Sequence, residues 1–151
     1  VFGVGALIGP LITNRFNDGS NRRMRHLITV GFVALVAGWF ILGTTYTLVL
    51  ACVAIFVRAV GGSINWTYST IIMQNTADDD YMGRAFSVDM AGFQLMTVIS
   101  ALVHGGLIDM AGTDNVRLIS SWTGVVSLIP LLIWVWLVAY LDRRQSRPSG
   151  A

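Results

Sequence analysis

An all-α membrane protein, a transmembrane helical bundle, is the fold class this sequence predicts. Three observations predict it. Of 151 residues, 54% are hydrophobic and only 12% are charged, about half of the ~25% charged share usual in soluble proteins. The apolar residues gather in long runs, giving a mean hydropathy of +0.66. The arginines sit in short tracts beside those runs. In water such runs would expose apolar surface, whereas a bilayer is already their preferred solvent.

The first run, Val1–Thr13, is shorter than the roughly 20 residues a span needs. It has no initiator methionine, basic leader or small-residue cleavage site, so a signal peptide is not indicated. It is expected to be the surviving end of a longer helix. The next segments are Leu27–Gly43, Thr47–Met73, Ala85–Met110 and Val116–Leu141, each long enough to span with some tilt. Residues 142–151, DRRQSRPSGA, form a polar tail. Together, residues 1–141 make a partial transmembrane domain.

The connections set the expected topology. Arg15, Arg22, Arg23 and Arg25 lie between the first two segments, Arg84 between the third and fourth, and Arg143, Arg144 and Arg147 in the tail. The GTTYT and AGTDN connections carry no arginine. Arg117 lies just beyond the latter, so arginine-bearing loops alternate with arginine-poor ones, as the positive-inside rule requires of successive spans. The first loop, the third loop and the tail are therefore expected in the cytoplasm of a multi-pass protein of the cell (inner) membrane.

Several function classes are excluded. The net charge is +2, yet the arginines are distributed as topology signals and not as a basic groove, which argues against nucleic acid as a partner. One cysteine, Cys52, allows neither an internal disulfide nor a cysteine-rich metal site. Asp78, Asp79 and Asp80 share a short loop, a poor metal cage. There is no Walker motif and no catalytic constellation, so the chain reads as no enzyme, with no metal and no cofactor.

Polar groups within the apolar runs are the informative residues. Arg58 lies about 12 residues past Tyr46, roughly 18 Å along a helix. An arginine at mid-bilayer costs about 2.5–3.5 kcal/mol on insertion scales and needs a wet cavity or a partner. At about 100° per residue, Ala51, Ala54, Arg58, Gly61, Gly62, Asn65 and Ser69 share a small, polar stripe, with Trp66 at its edge. Val57, Val60 and Ile64 point elsewhere. The alternative is a structural arginine satisfied by another helix. Asp89, about five residues into the fourth segment, can take a proton or pair with Arg15, or it can simply favour a helix N-terminus. His104 can relay protons or hydrogen-bond a neighbouring helix. Most tryptophans, Trp39 among them, read as interfacial or lipid-facing anchors. Gly5 and Gly9 share one face and allow close approach of a neighbouring helix.

Two loops carry a resemblance. GALIGPLITNRFNDGSNRR has a glycine-rich helix end at Gly5 and Gly9, an arginine at Arg15 and a basic pair at Arg22 and Arg23. QNTADDDYMGRAFSV ends in Gly83-Arg84 before a helix. Both resemble the cytoplasmic loops of major facilitator superfamily transporters, most of all those of drug and siderophore exporters. Asn14 stands where that family usually has aspartate, Pro10 stands at a usual glycine, and NDGSN lengthens the turn. Asp78 replaces a common proline and Met82 a common arginine.

The resemblance implies part of the C-terminal six-helix half of that fold, from the end of helix eight through helix twelve. The third segment is then the cavity-lining tenth helix. Arg58, Gly61, Gly62, Asn65, Trp66 and Ser69 become substrate-cavity candidates, and Asn14, Arg15, Arg22, Arg23, Arg84 and Asp89 cytoplasmic-gate candidates. Asp89 and His104 become proton-coupling candidates. The implied activity is ion-coupled efflux of a small amphipathic compound by a secondary transporter, an antiporter. The implied partners are lipid, that small-molecule substrate and an N-terminal half. A non-transporting membrane scaffold or a small membrane-embedded enzyme is the alternative.

Overall fold

Five α-helices account for almost all of the backbone in the computed structural model, which describes residues 1–145, apart from the side chains of Thr113 and Gln145. They are α1 (Phe2–Asn14), α2 (Asn21–Gly43), α3 (Leu48–Thr76), α4 (Asp79–Ala111) and α5 (Val116–Gln145), with a 3₁₀ turn at Thr113–Asn115 before α5. The segments α2, α3, α4 and α5 are each long and apolar enough to cross a membrane. No strand occurs among the described residues. The fold is the all-α helical bundle that the composition predicts. The part of the expected tail from residue 146 onward, Arg147 included, lies outside the described residues.

Helix α2 begins six residues before its apolar run because Ser20 caps it: the Ser20 hydroxyl accepts a hydrogen bond from the Arg23 amide at 3.2 Å. Serine is a favoured N-cap because it satisfies an amide that has no partner inside the helix. The preceding turn is stabilised locally. Asn17 accepts from the Gly19 amide, and Asp18 accepts from both the amide and hydroxyl of Ser20. Those bonds, the hydroxyl's first, hold the Asp18 carboxyl below its ordinary value. Gly19 supplies the left-handed φ of 81° that the turn requires. Thr47 caps α3 in the same manner, accepting from the Leu50 amide.

Packing is uneven. Helix α3 is central, lying against α1 on one side and α2 on another, and α2 in turn packs on α5. Where α1 meets α3, side chains at Gly5 or Gly9 would run into the Phe56 and Val60 carbonyls, at 2.7 and 2.8 Å. Small residues permit such close backbone approach between membrane helices. The densest cluster joins Met24, Leu27 and Ile28 of α2 to Ile64 and Tyr68 of α3. Tyr68, only 1% exposed, donates its hydroxyl hydrogen bond to Thr13 of α1 at 3.0 Å. Helix α4 has no buried residue among those described.

The helices alternate in direction. Asn75, at the end of α3, donates to Asn21, at the start of α2, and Asp142, near the end of α5, also meets the start of α2. At the opposite end, Gly43 of α2 packs on Ser121 of α5, and the Arg117 guanidinium lies over the Tyr46 ring at 4.1 Å. All the arginine-bearing connections therefore fall at one end of the bundle.

Candidate functional site: an apolar cavity with one carboxylate

A cavity of about 800 Å³ opens between α2, α3, α4 and α5. Helix α3 contributes Gly62, Asn65, Trp66 and Ser69; α4 contributes Asp89 and Phe93; Phe32 of α2 and Trp134 of α5 lie across from them. The lining is largely apolar. Its polar side chains are those of Asn65, Ser69 and Asp89, with the indole N–H groups. Trp66 and Phe93 meet edge to face at 5.4 Å and join the two helices across the cavity. Phe32 and Trp134 pair at 6.0 Å on the other wall. Trp134 is fixed by donating its indole N–H to Thr29 at 3.2 Å.

The polar stripe expected on α3 divides between two environments. Gly61 is buried, and a side chain there would strike the Gly31 carbonyl at 2.5 Å and the Leu35 amide nitrogen at 2.9 Å. Gly62, turned about 100° away, has nothing closer than Leu35 at 3.9 Å. Gly61 thus serves the α2–α3 crossing, and Gly62 lies on the cavity wall. Asn65 does both, pressing its amide oxygen toward Gly31 while lining the cavity.

Arg58 stands apart from this cavity. Its stem packs on Gly38, and its guanidinium lies 3.7 Å from the centroid of a Trp39 ring on α2. Its Nε has no hydrogen-bond partner among the described residues. The contact is cation–π, which gains strength when desolvated. Trp39 also stacks on His104 of α4, with ring centroids 5.9 Å apart. His104 Nδ1 is 2.7 Å from the Ser100 carbonyl, so that nitrogen donates, and Nε2 is 2.9 Å from the Thr123 hydroxyl of α5. A chain of contacts through Arg58, Trp39, His104 and Thr123 therefore links four helices. Trp39, read from sequence as an anchor, is its hub.

At the arginine-rich end, the acid that gathers the arginines is Asp142. Its carboxylate meets Arg22 at 3.5 Å, Arg25 at 3.3 Å and His26 at 3.1 Å, with 17% of its side chain exposed. Arg23 donates instead to the Phe16 carbonyl at 2.9 Å and closes the turn. Asn14 and Arg15 are exposed, and no ion pair joins Arg15 to Asp89 among the described residues. Arg84 is also exposed and lies 5.9 Å over Tyr81. Asp89 belongs to the cavity, on the far side of α3 from α1, so the pairing suggested for it is not made. Nothing in the sequence near Asp142 signals this role, since its partners lie more than a hundred positions away.

A family model described as Major Facilitator Superfamily matches residues 1–151, the whole chain. The chain belongs to the Major Facilitator Superfamily. It is accordingly an integral membrane protein and a transporter, in a family made of transporters and not of enzymes. No curated protein and no solved structure matched it. Asp89, Phe93 and Trp134 complete a wall of which the sequence stripe gave one side.

Proposed function

We propose that the chain is the C-terminal part of a secondary active transporter, its five helices corresponding to the end of helix eight through helix twelve. The arginine-rich end faces the cytoplasm of the cell's inner membrane. The cavity between α2, α3, α4 and α5 holds a small amphipathic compound, which is exported in exchange for an ion. The observation that carries this reading is the cavity of about 800 Å³ with apolar walls and few polar groups. Small-molecule sites typically measure about 300–1,000 Å³ and are built in this way. Outward transport is supported by the loop resemblance to drug and siderophore exporters. Coupling to an ion gradient is supported by the lack of any nucleotide-binding motif in the chain. Asp89 and His104 are the proton acceptors within its spans, and the Arg22, Arg25, His26 and Asp142 cluster is a latch between α2 and α5 at the cytoplasmic end.

Cysteine accessibility in the complete transporter tests the cavity. In a Cys52→Ala background, Ser69→Cys should react with a water-soluble thiol reagent, and a transported amphipathic dye should slow that reaction. Ile64→Cys, at a position 2% exposed inside the α2–α3 core, should stay unreacted. A Ser69→Cys site that ignores the dye in an actively transporting protein would end the assignment.

A further inference from the structure

The cavity holds a single ionisable side chain among its described lining residues, Asp89. No arginine or histidine lies within ion-pair distance of it among the described residues, and the chain contains no lysine. Arg58 is stacked on Trp39, and Arg84 lies over Tyr81. Asp89 is itself exposed on α4, and a cargo that covers its carboxylate costs desolvation unless an opposite charge or several hydrogen bonds offset it. One turn along α4 from Asp89 stands Phe93, edge to face with Trp66. Aromatic faces attract cations, tryptophan most strongly.

We propose that this cavity selects an organic cation, with the Asp89 carboxylate as its counter-charge and the Trp66 and Phe93 rings as its walls. The proposal rests on the reading of the cavity as the cargo site. The acid and the aromatic pair are independent features that favour the same ligand class. An anion would meet the carboxylate's repulsion, and a neutral cargo would desolvate the carboxylate without compensating it. Had Arg58 lined the cavity, the stripe on α3 would have favoured an anionic or hydrogen-bond-accepting cargo instead.

Two probes of nearly the same shape and opposite charge decide the matter: tetraphenylphosphonium and tetraphenylborate. With the complete transporter purified in detergent, tetraphenylphosphonium should bind saturably, and tetraphenylborate should compete at least tenfold more weakly. Asp89→Asn should weaken phosphonium binding about tenfold or more, Asp89→Glu should largely restore it, and Trp66→Leu should weaken it several-fold. Equal binding of the two probes would overturn the proposal. So would an Asp89→Asn protein that elutes as a folded species and binds the phosphonium unchanged. If Asp89→Asn does not fold, the comparison of the two probes on the unmodified protein decides alone. Protection of Ser69→Cys by a neutral or anionic cargo, with no effect of the phosphonium, would refute the cation while leaving the cavity as the cargo site.

Discussion

Two neighbouring glycines on α3 should respond oppositely to the same small change. At Gly61, an added methyl meets the Gly31 carbonyl at 2.5 Å, the Leu35 amide nitrogen at 2.9 Å and the Ala34 side chain at 3.0 Å. Two of those three atoms belong to the α2 backbone, which cannot turn aside as a flexible side chain would. Gly61→Ala therefore has to push α2 and α3 apart at their closest crossing. Overpacking of this type costs about 1–3 kcal/mol, or about 5- to 150-fold in the folded-to-unfolded ratio. At Gly62 the same methyl meets only Leu35, at an ordinary contact distance of 3.9 Å. Gly62→Ala should leave stability within about 0.5 kcal/mol, as for substitutions that touch nothing critical, and should narrow the cavity by one methyl. The assay is thermal survival of detergent-solubilised protein by size exclusion, beside cargo affinity. Gly61→Ala should lower the midpoint clearly with affinity per folded molecule retained, and Gly62→Ala should do the reverse. Equal midpoints for the two variants would refute the crossing geometry.

Other outcomes follow from the remaining contacts. Arg58→Lys keeps the charge and loses the planar stack on Trp39; it should cost about 0.5–2 kcal/mol of stability, the range of cation–π contacts, with cargo affinity preserved, as read from the same melting and binding assays. Arg25→Ala and Asp142→Asn should each slow transport, and the double variant should be slowed by less than the product of the two single effects, since partners in one interaction are not additive. Tyr68→Phe removes the buried hydrogen bond to Thr13 and should lower stability by about 0.5–1.5 kcal/mol, measured by the same thermal assay, without affecting flux per folded molecule.

The approximate positions of the helices were legible because membrane spans announce themselves by length and hydropathy; the polar first turns of α2, from Asn21, and of α4, from Asp79, were not, because they carry no apolar signal. The family was legible in the Arg15, Arg22–Arg23 and Gly83–Arg84 loops. On α3, helical period alone places Gly62, Asn65 and Ser69 near one another, but it could not separate Gly61 from Gly62. That separation depends on where α2 lies, and α2's approach depends on its own Gly31. The partner of Arg58 was illegible for a related reason. Trp39 carries the composition of an interfacial anchor, and only the α2–α3 crossing brings its ring beneath the guanidinium. Asp142 pairs with Arg25 across 117 positions, a contact with no local signature. The nearer acid, Asp89, attracted the pairing because it lies on the expected side of the membrane. Helix placement decided otherwise, since α1 packs on α3 while Asp89 opens into the cavity between α2, α3, α4 and α5.

The central claim is that cargo passes through the cavity between α3 and α4, and flux tests it most directly. The complete transporter would be reconstituted in vesicles with an imposed pH gradient, and movement of a fluorescent amphipathic dye followed before and after a bulky thiol reagent. In the Cys52→Ala background, the reagent should stop gradient-driven flux through Ser69→Cys and leave it intact in Val30→Cys, at a position on α2 that is 54% exposed. Undiminished flux through a fully modified Ser69→Cys protein would contradict the account.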